Sequence, residues 1–382
     1  MAEVMVIGGG LTGLATAIEC AERGLSVELR EATDRLGGRA RSLERDGFVT
    51  NQGPHALYLG GPGEAWLRQR SLLPELVARE PGTLRVRYDG ETGPLPAWLR
   101  LAVRRLHEGA PDDVSFAEWA RSRVSPRAAA LVEGLLTLSL FDGDPGRHAA
   151  SFVVRVLAQG PAEYVVGGWG RLVDGLVGRA RELGVELRTG SRVERIEHRP
   201  AIVCTGPEPA GHLLGEPALR SDGQRTALRD VGLESPKRDP GRSSGTLLLD
   251  LDAGVYVARY SALDPSLAPA GHDLLQCCAG LRPGESTAGA QQRIQRVLEV
   301  AYPDWGDRAV FDRPYTIASP GARDPVGSNW RARPAIDRGD GVLLAGDWVA
   351  AEGFLTEVCF TSAGAAAECA AKLVNGAARL GS

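Results

Sequence analysis

Apolar and polar positions recur along this chain with two periods, and the order in which those periods follow one another predicts its architecture. Val4 to Ile7 is a short apolar run rich in β-branched residues, and the turn Gly8-Gly9-Gly10-Leu11-Thr12-Gly13 follows at once. A helical stretch from Leu14 to Arg23 then stops at Gly24, and Ser26 to Arg30 reads as a second strand. Strand, glycine turn, helix and strand make a βαβ unit. Ser42 to Thr50 alternate around Asp46-Gly47, and Val86 to Leu95 around Asp89-Gly90, as hairpins do. Helical spacing follows at Ala97 to His107, Ser115 to Arg123, Pro126 to Leu138 and His148 to Leu157. A glycine cluster at 167, 168 and 170 leads into a helix from Arg171 to Leu183, without the strand and acid that a second dinucleotide site needs. Strands are expected at 184–188, 191–196 and 201–207, then at Thr246 to Asp250, Val255 to Ser261 and Asp273 to Cys278. Ala288 to Tyr302 is an amphipathic helix with Ile294, Val297, Leu298 and Ala301 on one face. Gly341 to Trp348 closes as a buried strand, and Gly353 opens a last helix running through Ala370.

The first forty residues carry the chemistry that organises the rest. Gly8 permits a tight turn, Gly10 lets a diphosphate approach the main chain, and Gly13 lets the helix pack on the strand. The N-terminal amides of the helix, with those of Leu11 and Thr12, then face the phosphate charge. Glu31 ends the second strand, where a carboxylate accepts both hydroxyls of an adenosine ribose and repels a 2′-phosphate. The combination predicts a dinucleotide site.

The residues beyond the acid separate flavin from nicotinamide. Glu31-Ala32-Thr33-Asp34-Arg35-Leu36-Gly37-Gly38-Arg39 resembles the extended fingerprint of the flavoprotein superfamily that holds flavin-containing amine oxidases and phytoene desaturases. The resemblance implies an α/β fold: a discontinuous Rossmann-like FAD-binding domain at 1–62, 161–235 and 335–382, with an α+β substrate domain at 63–160 and 236–334. It implies non-covalent FAD held by Gly8, Gly10, Leu11, Thr12, Gly13, Glu31 and Ala32. Gly37 and Gly38 bring a loop to the cofactor, and Arg39 neutralises its diphosphate. By the same resemblance Gly53, Pro54 and His55 belong near the isoalloxazine, Val193 near the adenine, and Thr205 and Gly206 on the returning turn. Gly346-Asp347 matches a superfamily signature, with Asp347 accepting from a ribitol hydroxyl or backbone amides. Gly353, Leu355 and Thr356 place a helix N-terminus at the flavin's N1 and C2 edge.

Composition narrows the partners. With 43% hydrophobic residues and a net charge of −4, the chain lacks the basic surplus of a nucleic-acid binder. Its basic residues are almost all arginine, Lys237 and Lys372 excepted, which with its alanine and glycine content points to a GC-rich bacterial gene. The six cysteines show no metal-ligand spacing and read as reduced thiols of a cytosolic protein; Cys359 is the candidate for a covalent flavin link. No signal peptide is expected before Val4, and no membrane partner, because Ala128 to Phe141, the longest apolar stretch, is broken by Glu133-Gly134 and reads as a buried helix.

The implied activity is an FAD-dependent oxidoreductase taking hydride from a substrate C–H bond to flavin N5, with oxygen or another electron acceptor. His55 has the ordinary pKa for proton transfer, though a capping turn residue explains it equally. Phe354, with Trp330 or Tyr315, matches an aromatic pair before the flavin, and His55, Tyr58 and Trp330 are the side chains expected to touch a small-molecule substrate. Neither lysine falls near N5. Amine oxidation to an imine stands slightly ahead of carbon–carbon desaturation, and an isomerase or cyclase without net redox change is the alternative.

Overall fold

The computed structural model describes residues 2–220, 224–235, 246–318, 321 and 323–380; Lys237 lies outside them. A five-stranded parallel sheet forms one half, in the spatial order Glu186–Arg188, Val27–Arg30, Val4–Ile7, Ala201–Val203, Val342–Leu344. Its strands are almost wholly apolar because helices cover both faces. Val4 and Val6 enter the core beneath the helices Leu11–Glu22, Gly170–Glu182 and Thr356–Leu380, while Met5 and Ile7 point into a smaller cluster with Val203, Leu344 and Trp348. One strand thus feeds two cores by its period of two.

The other half is a seven-stranded sheet, ordered Ala309–Ala318, Arg225–Glu234, His272–Gly280, Val255–Arg259, Leu247–Asp250, Leu84–Tyr88, Glu91–Pro94. It is antiparallel except where Leu247–Asp250 runs parallel to Leu84–Tyr88. The helices Ala97–Leu106, Phe116–Arg123, Pro126–Leu140 and Ala150–Leu157 cover one face, and Thr287–Ala301 covers the other with Ile294, Val297 and Leu298. Pro126–Leu140 buries Leu131, Val132 and Leu136, as its apolar run requires. A small sheet of Leu57–Tyr58, Ala162–Val165 and Leu76–Ala78 joins the halves.

Both hairpins turn where expected, with Asp46 and Gly47 at φ 52° and 79°, and Asp89 and Gly90 at φ 50° and 81°. Three expectations change. No strand forms over 191–196: Val193 and Ile196, three residues apart, pack against the same apolar cluster, and that spacing cannot hold two residues on one strand face. The strands Arg225–Glu234 and Ala309–Ala318 escape the sequence pattern, because charges interrupt it. Arg229 grips Asp312 with bonds of 2.7 and 2.5 Å, and Asp230 pairs with Arg313 on the neighbouring strand. Finally, Arg225–Glu234 belongs to the seven-stranded sheet, so the changeover expected at 235 falls before residue 225.

Candidate functional site

A cavity of about 900 Å³ lies between the halves and starts at the glycine turn. The helix Leu11–Glu22 begins at Gly10 with no side chain capping it, so the amides of its first turn have neither a helical nor a side-chain acceptor. Leu11 and Thr12 line the cavity there. A Cβ on Gly10 would meet no atom within 4 Å, which leaves the turn open on the cavity side. Gly13 is different: its Cβ would stand 1.8 Å from the Gly8 oxygen, so it holds the helix against the turn and stays off the cavity wall. Gly37 sits at φ 103° and donates its amide to Gly9 O at 2.7 Å, which brings Gly37, Gly38 and Arg39 to the cavity edge.

Glu31 also reaches the cavity, and its carboxylate is fixed from behind. It accepts from the Gly9 amide at 2.8 Å and from the Thr33 amide and hydroxyl at 2.8 Å each. A carboxylate has about four acceptor sites, so one remains for a ribose hydroxyl. Arg39 and Asp347 correct a simpler expectation. The two bind each other at 2.8 Å across 308 residues, Asp347 nearly buried and Arg39 half open to the cavity. Asp347 therefore has its cation within the chain, and Arg39 keeps further donors for an anion.

Uncapped amides, an open turn, an anchored acid and a half-free guanidinium suit an adenine dinucleotide diphosphate. The remaining candidates divide. Gly8, Gly53, Pro54, His55, Tyr58, Thr205, Gly206, Leu355 and Thr356 line the cavity with those named above. Ala32, Val193, Gly346, Gly353, Phe354 and Trp330 do not. Val193 packs on the far apolar cluster, and the Gly346 amide is taken by Ser362 Oγ at 3.0 Å. Gly353, Phe354 and Trp330 instead line a second cavity of about 640 Å³, which shares Val156 and Gln159 with the first. Tyr315, the other proposed aromatic, is turned toward Asn51 O and Asp230.

His55 is built as a turn residue. Its Nε2 lies 3.0 Å from Arg39 O, its ring meets Trp169 edge-on at 4.8 Å, and burial moves its pKa below the ordinary value. Sequence reasoning named Tyr58 but missed Tyr164, Tyr256 and Tyr260, which line the same cavity. Tyr256 donates to, or accepts from, Tyr260 at 3.0 Å, and Tyr164 packs edge-on against Tyr260 at 5.4 Å. Tyr58 leans on Phe354 at 5.5 Å. Burial holds all four tyrosines above the ordinary phenol pKa, Tyr58 at about 12, so they stand in the wall as neutral hydroxyls. Tyr256 lies within the strand Val255–Arg259 and Tyr260 directly follows it, an even spacing that could have revealed them.

Cys359 lies off the cavity, and burial pushes its thiol up to about 12; Cys204 lines the cavity at the nucleotide turn and is pushed up equally. Among the described residues no cluster of side chains could hold a metal ion, and no helix is long and apolar enough to cross a membrane.

Residues 6–69 match the NAD(P)-binding Rossmann-like domain family. The chain is 33% identical over 102 residues to coproporphyrinogen III oxidase of Propionibacterium freudenreichii, a match covering 26% of this chain and 19% of the relative. It is 48% identical over 52 residues to carotenoid 3,4-desaturase of Haloarcula japonica, covering 14% and 10%. The matched stretches thus span less than a fifth of either relative. In three dimensions the likeness is nearly complete: an oxidoreductase from Methanosarcina mazei superposes with TM-score 0.77 at 19% identity over 96% of this chain and 99% of its own. Cyclohexylamine oxidase from Brevibacterium oxydans superposes with TM-score 0.75 at 16% identity over 98% and 99%. Identities this low establish the fold alone. Residues 6–69 are thus similar to the NAD(P)-binding Rossmann-like family, and the chain as a whole carries the α/β fold shared with those two structures.

Proposed function

We propose that the protein is an oxidoreductase that binds FAD without a covalent link and dehydrogenates an apolar small molecule. The observation that carries this reading is the continuity of the cavity from the uncapped helix of the glycine turn to a chamber walled by Tyr58, Tyr164, Tyr256 and Tyr260. Names of relatives such as oxidase and desaturase agree with it. Bound FAD would supply a hydride acceptor at N5.

The chain's own groups have defined tasks. The first-turn amides and Arg39 would hold the diphosphate, and Glu31 would take the ribose. Leu355 and Thr356 bring the start of the tail helix to the wall, where its partial positive charge would favour the electron-rich edge of a bound flavin ring. The tyrosine wall excludes water and positions the substrate, and its hydroxyls stay protonated. His55 holds the Arg39 carbonyl in place, so we assign it a positioning role.

We place carbon–carbon dehydrogenation ahead of amine oxidation. Glu31 and Asp347 are the only acids among the described cavity-lining residues, and both sit at the nucleotide end with partners. A protonated amine would find no carboxylate among the cavity-lining residues beside Tyr164, Tyr256 and Tyr260; Glu357, whose charge reaches Tyr58, lines the second cavity. The test is anaerobic mixing of FAD-loaded protein with an amine panel and with alkene or polyene precursors. Bleaching by the hydrocarbon class, with product two hydrogens lighter, supports the reading. Bleaching by amines alone reverses the order, and product of unchanged mass points to an isomerase.

A further inference from the structure

Arg79, Arg100 and Arg104 line the same cavity as the tyrosines, together with Leu84, Leu95 and Val103. Arginines in the surrounding protein are commonly neutralised where they are buried: Arg313 by Asp230, Arg333 by Asp324, Arg293 by Glu285. Half-buried Arg79 is not, and neither are Arg100 and Arg104, which are exposed to solvent as well as lining the cavity. No described residue offers any of their guanidinium groups an ion pair or a side-chain hydrogen bond.

Their placement is built by the fold. Arg79 directly follows the joining strand Leu76–Ala78 and is half-buried beside Tyr164, where its charge opposes the effect of burial on that phenol. Arg100 and Arg104 stand one turn apart on Ala97–Leu106, so they share a helix face and repel each other. Arg104 gains a little from lying in the last turn, near the negative end of the helix; Arg100 has no such compensation. Three like charges on an apolar chamber are stabilised when an anion enters between them.

We propose that Arg79, Arg100 and Arg104 form an anion-binding rim that holds the acidic head group, a carboxylate or a phosphate monoester, of an otherwise apolar substrate. The claim rests on the reading of the cavity as the substrate site, and it defines the class of molecule that site takes. The head group stays at the rim, the apolar body fills the chamber, and the carbon to be oxidised points toward His55, Leu355 and Thr356, where the redox ring would lie. Guanidinium forks select planar or tetrahedral oxyanions and leave alcohols and amines without a partner.

The rim can be tested on FAD-loaded protein by titrating dodecanoate, dodecyl phosphate, dodecanol and dodecylamine below their micelle concentrations, following the flavin difference spectrum. One or both acids should bind at least about tenfold tighter than dodecanol, with the amine weakest. The stronger acid identifies the head group. Arg79→Gln, Arg100→Gln and Arg104→Gln should each weaken acid binding by about tenfold while leaving dodecanol unchanged, and added salt should weaken only the acids. FAD affinity and the urea midpoint of the variants should match the parent, which separates loss of the rim from loss of the fold. Equal binding of alcohol and acid, no binding of any probe, or acid binding indifferent to all three substitutions overturns the proposal. So does a protein that ignores the free acids but sediments with anionic phospholipid vesicles through Arg100 and Arg104, since Trp98 and Leu101 are exposed on the same helix and the rim would then be a membrane contact. Failure to take up FAD at all would instead sink the reading of the cavity itself.

Discussion

Two glycines of one turn should respond to the same substitution in opposite ways. In Gly13→Ala the new methyl would lie 1.8 Å from the Gly8 carbonyl oxygen, about 1.6 Å inside an ordinary contact near 3.4 Å. The turn or the helix must move. The helix cannot move freely, because Leu14, Ala17 and Ile18 are fully buried against the sheet and the tail helix. Overpacking of this kind costs up to about 3 kcal/mol, and replacing a helical glycine by alanine returns about 1 kcal/mol. A net loss of about 2 kcal/mol results for the protein without cofactor. Gly10→Ala meets no atom within 4 Å, and φ −75°, ψ −173° suits an alanine. Its cofactor-free stability should stay within about 0.5 kcal/mol of the parent.

Affinity should follow another order. A methyl at position 10 occupies the side from which a diphosphate reaches the first-turn amides, and each charge-assisted bond lost costs about 1.5–3 kcal/mol. FAD binding to Gly10→Ala should therefore fall roughly ten- to hundredfold although the apoprotein is intact. The assay is urea unfolding of the stripped proteins beside fluorescence titration with FAD; stripping matters because bound cofactor stabilises the fold by mass action. An unaltered midpoint for Gly13→Ala, or full FAD affinity in Gly10→Ala, would refute the assignment of one glycine to packing and the other to the ligand.

Other consequences can be checked separately. Asp142 is fully buried; burial opposes its charge, but the His148 bond at 2.7 Å, Arg323 and the Asp144 amide outweigh that and hold its carboxyl far below the usual range. A carboxylate depressed in the folded state contributes stability above its unfolded pKa and loses it as pH falls. Asp142→Asn should thus cost about 3 kcal/mol at neutral pH, and the deficit in urea unfolding should shrink below about pH 4; a pH-independent deficit contradicts this. Arg39→Ala and Asp347→Ala should each weaken FAD binding, and their double-mutant cycle should show coupling of about 1 kcal/mol; strictly additive effects would mean that the 2.8 Å pair does not act on the cofactor. Acid precipitation should release all flavin to the supernatant, because burial pushes the thiols of Cys204 and Cys359 up to about 12; flavin retained on the pellet would show a covalent bond.

The nucleotide half was legible because its signals are local. Val4 to Glu31 supply strand, turn, helix and acid within one stretch of chain, and each residue's task is set by neighbours a few positions away. Arg39 marks where that ends: its sequence neighbourhood announces a diphosphate ligand, yet its own carboxylate is 308 residues distant and only the folded sheet brings it near. Asp230 and Arg229 hid a strand for the same reason, since their cross-strand partners Arg313 and Asp312 make burial tolerable and no local pattern reports them. Phe354 and Trp330 line the second cavity instead, Phe354 packing on Tyr58 from behind the chamber wall. Leu355 takes a left-handed turn at φ 49° just before the tail helix, and Leu355 and Thr356 face the first cavity while Phe354 faces the second. The chamber itself is assembled from separate parts of the chain, with Arg79 and Arg100 from the first insertion, Tyr164 from the joining sheet and Tyr256 from the large sheet. Each of these alone reads as an ordinary surface or core residue. Their meaning lies in convergence, so the chemistry of the cofactor can be inferred from a motif whereas the chemistry of the substrate must be inferred from a cavity.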